Sequence, residues 1–244
     1  MRIALKFKVK LPLTLPKSYQ RILQGFIYEQ ISGTDFSEFL HNKGFGDARK
    51  FKLFTFSLLK GPYTYHATNH TVTFSDHFYI EVASVVNDFI HLLSKSLLDK
   101  NTLKINGTPI ELVEYHYKTQ EIAQDTVKIE MISPLTVYTT YTQGEKSKTQ
   151  YFSPEDPKFA EEIDKNLKRK FQAIYSTKLT PTVSIEPVEV NQKNKLILRY
   201  KDHVIIGYTG TYILRGHRDH LDFLYRVGLG SKNSMGFGMF RVLK

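Results

Sequence analysis

The sequence predicts an α+β protein made of two tandem units, each with the element order β-α-β-β-α-β. Short segments in which apolar and polar residues alternate, as in strands, are separated by longer segments with apolar residues three and four positions apart, as in helices. The order of these segments in residues 1–120 recurs in residues 121–244, on either side of a polar stretch at 118–125. The element order repeats, whereas the residues themselves do not.

The first unit opens with a strand and two helices. Residues 1–10 alternate apolar and basic side chains, a pattern typical of a strand and not of a signal peptide. Two prolines end that strand, and an apolar stripe then predicts a helix over residues 17–31. Thr34 is suited to cap a second, shorter helix over residues 35–41.

Four further elements complete the first unit. Residues 52–59 predict a strand, and two short strands within 63–74 predict a hairpin arm. Valine and leucine residues at helical spacing predict one long helix over 78–98. Residues 103–117 predict two strands that turn at Asn106-Gly107, a pair favoured in tight hairpin turns.

The second unit repeats this order. Residues 155–175 predict a helix that has Ser153 as its cap, Pro154 in its first turn and acidic residues at the positive end of its dipole. A second helix is predicted over 217–227. The order is that of a ferredoxin-like, or RRM-like, domain, so each unit is expected to be one such domain. The predicted strands are 126–131, 137–140, 183–190, 195–200, 204–214 and 237–243.

The composition narrows the class of protein. With 34 Lys and Arg against 24 Asp and Glu, the formal net charge is +10, which favours a polyanionic partner, nucleic acid first. Cysteine is absent, which excludes disulfides, thiolate metal sites and a cysteine nucleophile, and fits a reducing cytoplasm. No apolar run approaches the roughly 18 residues of a membrane helix, so no membrane partner is expected.

A glycine-rich segment, residues 228–238, lies between the last predicted helix and the last predicted strand. Glycine tolerates positive φ and lets another backbone approach closely. We therefore expect a loop of exposed backbone N–H groups with a cation at its tip, an arrangement suited to a phosphate chain. The residues predicted to bind are Gly228, Gly230, Lys232, Asn233, Ser234, Gly236 and Gly238.

Three residues of the first unit form a candidate catalytic set. Tyr28 lies at the edge of a helical apolar stripe, and His41 ends the second helix, where the helix dipole favours an imidazolium. Lys52 opens a strand, with Arg49 and Lys50 beside it. A Tyr, a His and a Lys can supply a base, an acid and a cation for phosphoryl chemistry without a metal. Each residue also has a purely structural explanation. Tyr28 can be a ring at the edge of the core, His41 an ordinary helix end, and Lys52 a solvated residue at the start of a strand.

Other cationic residues could bind nucleic acid, but each group also has a simple structural explanation. Arg215, His217 and Arg218 stand at the start of the last helix, where a bound anion would offset their charge and a solvated cap is the alternative. A run of cations that ends at Lys170 is expected on the outer, solvated face of its helix. The paired acidic residues fit helix ends and not a metal-binding cluster, so no metal or other cofactor is expected.

Four segments match a known family: residues 228–238 (GLGSKNSMGFG), 24–28 (QGFIY), 39–41 (FLH) and 52–57 (KLFTFS). The glycine-rich segment matches in its spacing, in the strand that follows it and in its place at the C-terminal end. With these segments the sequence resembles the CRISPR-associated endoribonucleases that process precursor crRNA, which belong to the RAMP superfamily. The element order agrees over nearly the whole chain.

The resemblance implies an enzyme that cuts CRISPR repeat RNA without a metal. The RNA 2′-hydroxyl would attack the adjacent phosphate and leave a 2′,3′-cyclic phosphate and a 5′-hydroxyl. The resemblance implies that His41 transfers the proton, that Tyr28 positions or assists and that Lys52 stabilises the phosphorane, while the glycine-rich segment and a basic cleft hold the RNA. Because the stretch before Lys52 is longer than is usual in the family, Arg49 or Lys50 is an alternative for its role.

Two other functions are open at this point. A non-catalytic RNA-binding subunit of a CRISPR effector would share the glycine-rich segment but lack a productive Tyr, His and Lys geometry. An unrelated protein would carry its positive charge incidentally. For the enzyme, the expected partner is CRISPR repeat RNA, and an effector complex and a homodimer are further partners that the resemblance allows.

Overall fold

Two antiparallel β-sheets form the centres of the two halves of the molecule. The computed structural model describes residues 1–47, 49–100, 102–144, 146–200 and 203–243. The first half contains β1 (Arg2–Val9), β2 (Leu13–Pro16), α1 (Gln20–Ile31), α2 (Asp35–Asn42), β3 (Phe54–Phe56), β4 (Tyr63–His66), β5 (Thr71–Phe74), β6 (His77–Ser84), α3 (Asn87–Asp99), β7 (Leu103–Ile105) and β8 (Thr108–Lys118). The second half contains β9 (Thr126–Met131), β10 (Tyr138–Gln143), β11 (Lys146–Tyr151), α4 (Pro157–Tyr175), β12 (Ser184–Glu189), β13 (Lys195–Tyr200), β14 (His203–Tyr208), β15 (Thr211–Arg215), α5 (Arg218–Val227) and β16 (Phe240–Val242).

The sheet of the first half has the strand order β3-β6-β1-β8-β7. The four central strands are β1, β3, β6 and β8, and across the sheet they stand in the order β3, β6, β1, β8, which is 2-3-1-4 by their order in the chain. Helix α1 lies in the connection from β1 to β3, and α3 lies in the connection from β6 to β8. This is the ferredoxin-like arrangement. Ile3, Leu5 and Phe7 of β1 are buried, as the alternating sequence predicts, in the same cluster as Leu23 of α1 and Phe89 of α3.

The sheet of the second half repeats this arrangement. Its order is β12-β15-β9-β16, which is again second, third, first, fourth, with α4 and α5 in the connections. The predicted tandem ferredoxin-like fold is therefore confirmed. Two hairpins, β10-β11 and β13-β14, are added to this half. We propose residues 1–120 and 121–244 as the two domains, because Ile122 is the first residue after β8 that is buried in the second core.

The largest departure from the predicted elements is β6. The sequence predicts one helix over 78–98, but the first part of that range is a strand and α3 begins only at Asn87. Phe78, Ile80 and Val82 are buried at every second position, and β6 pairs with β1 on one side and β3 on the other. The prediction was wrong here because the valines and leucines that follow continue at helical spacing and conceal the boundary.

Smaller departures have local causes. Helix α4 is capped by Asp156 and not by Ser153, since the Asp156 carboxylate accepts the N–H of the second helical residue and Pro157 occupies the first helical position. The predicted strand 204–214 is two strands, because Gly210 at φ +105° breaks the extended backbone between them.

Among the described residues, no helix is long and apolar enough to cross a membrane.

A buried arginine joins the first strand to the last. Arg2 is 2% exposed, its Nη1 donates to the carbonyl of Phe240 at 2.9 Å, and its Nε donates to the carboxylate of Glu81 at 2.8 Å. The guanidinium also lies 4.3 Å from the centroid of the Tyr225 ring, a cation–π contact. Arg2 therefore ties β1 to α5 and β16 of the other half.

The glycine-rich segment packs directly against β3 of the first half. The hydroxyl of Thr55 donates to the carbonyl of Phe237 at 3.0 Å, in a buried position. Gly236, at φ +83°, lies so close to the ring of Phe56 that a Cβ added to it would be 2.6 Å from Cε2 of that ring. The segment is thus part of the joint between the two halves.

Gly236→Ala is expected to lower the free energy of unfolding by about 2–5 kcal/mol, because left-handed backbone strain and overpacking against Phe56 add together. The matched control is Gly33→Ala, since Gly33 has a similar φ of +75° but open space where a Cβ would lie. That control should lose only the strain component, about 1–2 kcal/mol. Denaturant unfolding of both variants measures the difference, and equal losses would contradict the close contact.

Candidate functional site

The interior of the glycine-rich segment is packed rather than exposed. Its backbone N–H groups donate mainly to protein carbonyls, so the predicted cradle of free N–H groups is wrong for most of the segment. A Cβ on Gly238 would lie 2.0 Å from the carbonyl oxygen of Leu229, which shows that these glycines serve close backbone packing. The donor and acceptor pairs are Gly228 with Leu224, Leu229 with Gly238, Ser231 with Thr136, Met235 with Lys232, Gly236 with Asn233 and Gly238 with Pro134.

Three residues of the segment are half-buried, Lys232, Ser234 and Met235, whereas the others are buried. Lys232 has a left-handed backbone conformation with φ +59°. Its Nζ lies 4.9 Å from the centroid of the Tyr138 ring at the start of β10. Asn233 is buried instead, and its Nδ2 donates to the carbonyls of Leu229 and Phe237. Asn233 therefore shapes the segment from within.

A cavity of about 270 Å³ beside the segment is lined by both halves of the molecule, and we call it the basic cavity. Arg49, Lys50 and Lys52 line it from the first half, and Lys170 and Lys232 line it from the second. Among the described residues, no Asp or Glu lines it. Because its positive charges have no neighbouring carboxylate, the cavity favours an anion electrostatically. The remaining lining residues are Phe51, Leu53, Tyr138, Asn166, Val227, Ser231, Asn233, Ser234 and Met235.

Tyr28 and His41 line a second, open cleft, which we call the His41 cleft. His41 is exposed at the end of α2, and its Nδ1 lies 3.0 Å from Oδ1 of Asn42. Tyr28 is half-buried and packs edge-on to Phe54 with 5.8 Å between ring centroids. Burial, and secondarily the neighbouring Tyr200, raises the pKa of Tyr28 to about 12, so its hydroxyl keeps its proton at neutral pH.

Lys52 connects the basic cavity to the His41 cleft. Lys52 lines the basic cavity, and its Nζ donates to the backbone carbonyl of His41 at 3.0 Å. Burial lowers the pKa of Lys52 from its ordinary value. The alternatives for a cation are placed differently: Lys50 donates to the carbonyl of Gly46, and Arg49 lies over the ring of Phe51. Lys52 is therefore the cation of this group in direct contact with His41.

The cations predicted at the start of α5 lie away from both cavities. They are at the opposite end of a ten-residue helix from the glycine-rich segment, about 15 Å along its axis. Arg215 pairs with Glu186 at 2.8 Å, and the backbone N–H of Arg218 donates to Asp125. His217 caps the helix with its own ring nitrogen. Carboxylates of the protein thus supply the anion expected there, and the described residues contain no group of three His, Asp or Glu suited to a metal ion.

Two buried polar residues of α4 are part of the basic cavity although the sequence analysis did not select them. Lys170 was predicted on the solvated face, yet it is 2% exposed and its Nζ donates to the carbonyls of Gly228 and Gly230. Asn166 is 3% exposed, and its Oδ1 has no hydrogen-bond partner. Asn166 lies three positions after the buried Ile163, and Lys170 lies three positions after the buried Leu167. A polar residue within an apolar stripe was therefore the signal that could have found them.

Gln24 is a third polar residue near the candidate site, and the sequence analysis assigned its side chain no role. Its Nε2 donates to the carbonyl of Ser234 at 2.7 Å, and its Oε1 accepts a hydrogen bond from the hydroxyl of Tyr200. Gln24 lies one turn before Tyr28 on α1. It therefore links the helix that carries Tyr28 to the glycine-rich segment and to β13.

Models of two protein-family regions match the chain. The model described as CRISPR associated protein Cas6, C-terminal, matches residues 117–242, and the model described as CRISPR-associated protein Cas6, N-terminal, matches residues 14–115. The chain belongs to the Cas6 family. The resemblance drawn from the four sequence segments is therefore confirmed.

Individual Cas6 proteins agree with this assignment. CRISPR-associated endoribonuclease Cas6 1 of Methanocaldococcus jannaschii is 29% identical, over 98% of this chain and 91% of the relative. A solved structure described as CRISPR associated protein Cas6 superposes with a TM-score of 0.78 at 26% identity, covering 100% of this chain and 99% of the other. The product of a Cas6-related gene from Pyrococcus furiosus has a TM-score of 0.85 at 20% identity, covering 100% and 98%, and shows the shared fold.

The raised pKa of Tyr28 is measurable by ultraviolet titration of tyrosinate in the wild type and in Tyr28→Phe. We expect the difference between the two curves to be centred near pH 12, because burial holds the phenol in its protonated form. A free tyrosine derivative, titrated alongside, supplies the reference at about pH 10. Circular dichroism at each pH checks that the fold persists, and a difference curve centred near the reference would contradict a buried Tyr28 hydroxyl.

Proposed function

We propose that this chain is an endoribonuclease that cuts CRISPR repeat RNA within precursor crRNA. The observation that carries the proposal is the contact of Lys52, in the basic cavity, with the backbone of His41, in the adjoining cleft. Lys52 thereby joins the proposed phosphate site to the residue that is proposed to transfer the proton. A relative of this chain, from Methanocaldococcus jannaschii, is named an endoribonuclease, in agreement with this arrangement.

The basic cavity is the proposed place of the RNA backbone beside the cut. Arg49, Lys50, Lys52 and Lys232 offer charge to phosphate oxygens without a competing carboxylate among the described residues that line the cavity. The ring of Tyr138, which already packs against Lys232, is available for a base to stack on. Arg215, His217 and Arg218 are expected to contribute less, because nearby acids offset their charge.

The proposed reaction is an internal transfer of the phosphate. The 2′-hydroxyl loses its proton to a base and forms a bond to phosphorus, the bond from phosphorus to the 5′-oxygen breaks, and that oxygen gains a proton. The products are a 2′,3′-cyclic phosphate and a 5′-hydroxyl, and no water or metal enters the balance. Proton transfer of this kind suits a histidine, which can both accept and donate near neutral pH.

Three side chains receive roles in this reaction. His41 transfers a proton at the reacting oxygen, because its exposed ring lines the cleft. Tyr28 donates a hydrogen bond from a hydroxyl that stays protonated, and so positions the phosphate. Lys52 stabilises the negative charge that builds up on the phosphorane.

His41→Ala is expected to slow single-turnover cleavage of labelled repeat RNA by about 10²- to 10⁴-fold, because proton transfer is lost while the basic cavity is intact. RNA affinity, measured by filter binding at physiological salt, should change little. The matched control is His91→Ala, which removes an exposed histidine from α3 and should cleave like the wild type. Full cleavage by His41→Ala would remove His41 from the mechanism, and wild-type protein that binds the repeat without cutting it would indicate a non-catalytic RNA-binding subunit.

A chelator is expected to leave cleavage unchanged, because the proposed proton transfers and charge stabilisation come from side chains alone. EDTA is added to wild-type protein, and a magnesium-dependent ribonuclease in the same buffer shows that the chelator is effective. A rate that falls in EDTA and returns with added magnesium would argue for a metal site.

The proposed products are tested separately. The 5′ end of the downstream product should accept a phosphate from a polynucleotide kinase without prior phosphatase treatment.

A further inference from the structure

Lys170 is an unusual residue in the core of this protein. It lies on α4 with 2% of its surface exposed, and its Nζ donates to the carbonyls of Gly228 at 2.8 Å and Gly230 at 2.9 Å. Its partners are thus two backbone carbonyls and not a carboxylate. Burial, and secondarily the nearby Arg49 cation, lowers the pKa of Lys170 well below its ordinary value. Burying an amino group at such a cost indicates a specific task.

The two carbonyls converge on one nitrogen because of the glycine conformations. Gly228 and Gly230 have φ values of +82° and +59°, and each is too crowded for a side chain. A Cβ on Gly230 would lie 2.6 Å from the carbonyl oxygen of Thr136. The backbone of this turn therefore takes a left-handed course that presents both carbonyls to α4, where Lys170 clamps them.

The clamp holds the part of the glycine-rich segment that faces the basic cavity. Lys232 follows Gly230 by two residues, and it lines the cavity together with Arg49, Lys52 and Lys170. A second, independent clamp is the Asn233 side chain, which binds the carbonyls of Leu229 and Phe237 within the segment itself. Asn233 fixes the shape of the segment, whereas Lys170 fixes its position relative to α4.

We propose that Lys170 is a positioning residue for RNA cleavage: its amino group clamps the turn at Gly228 and Gly230 and thereby holds Lys232 in the wall of the basic cavity that Lys52 also lines. The proposal rests on the proposed function, since it concerns the same site. Lys170 acts through the backbone and need not touch the RNA. Its loss is expected to affect the rate of cleavage more than the affinity for RNA, because misplacement of a group at a reacting phosphate by about 1 Å costs on the order of 100-fold in rate.

The absence of cysteine in the chain allows the amino group to be removed and restored. In Lys170→Cys, the single thiol is alkylated in denaturant with bromoethylamine, which gives an aminoethyl side chain of the same length as lysine. Parallel alkylation with bromopropane gives a chain of the same length that ends in a methyl group. Both forms are refolded, and wild-type protein carried through the same treatment is the control for the chemistry.

We expect the propyl form to cleave repeat RNA about 100-fold more slowly than the wild type in single turnover, with a small change in RNA affinity, and the aminoethyl form to recover most of the rate. Hydrogen exchange of the amides in residues 228–238 should be faster in the propyl form only. Amides of β9 should exchange alike in all forms, which separates a local clamp from general destabilisation. The matched surface control is Lys165→Met, on the same helix, where the ammonium pairs with Glu161 in solvent.

Equal rates and equal loop exchange in the propyl and aminoethyl forms would overturn the proposal. If the propyl form does not refold, Lys170→Gln takes its place, because its amide keeps N–H donors on a side chain that is one atom too short to reach both carbonyls. A wild-type rate and wild-type loop exchange in Lys170→Gln would overturn the proposal equally. If wild-type protein cuts no repeat RNA, the proposed function and the positioning role both fail, while loop exchange still shows separately whether the clamp exists.

Discussion

The close approach of the Gly236 backbone to the Phe56 ring is the contact on which the functional part of the molecule depends. With this approach, the carbonyl of Phe237 lies within reach of Thr55, and the carbonyl of Ser234 lies within reach of Gln24. These contacts fix the glycine-rich segment against the half that carries His41. The basic cavity exists only because both halves contribute to its wall. Cavities between two domains are frequent places for ligands in proteins, and here the absence of a side chain at Gly236 allows the two halves to approach closely enough to form one.

The fold could be predicted from the sequence because each half is encoded by local patterns in the right order. The alternating first strand, the Thr34 cap and the Asn106-Gly107 turn all depend on neighbouring residues, and all are found as predicted. Strand β6 was mistaken for helix because its identity depends on pairing with β1 and β3, which are distant in sequence. The choice between strand and helix was made there by tertiary contacts and not by local spacing.

The candidate site was predictable only in part. The sequence selected Tyr28, His41 and Lys52 by resemblance, and the structure places the first two in one cleft with Lys52 in contact with His41. The sequence did not show which cations are free to bind an anion. Arg215 pairs with an acid of its own half, whereas the cations of the basic cavity have no carboxylate in its described lining. Whether a cation is neutralised depends on the acidic side chains near it in space. The net charge of +10 therefore does not show which cations lack an acidic partner.

The hydrogen bond from Arg2 to Phe240 joins residues that are 238 positions apart, and this has a consequence for folding during synthesis. A ribosome makes the chain from its N-terminal side, so β1 can pair with β6 long before β16 has been made. Throughout that time the Arg2 guanidinium can pair with Glu81 but lacks the Phe240 carbonyl and the Tyr225 ring. The first domain therefore cannot complete the surroundings of Arg2 until β16 has been made. Because the glycine-rich segment directly precedes that strand, the wall of the basic cavity cannot be completed before residues 228–238 have been made.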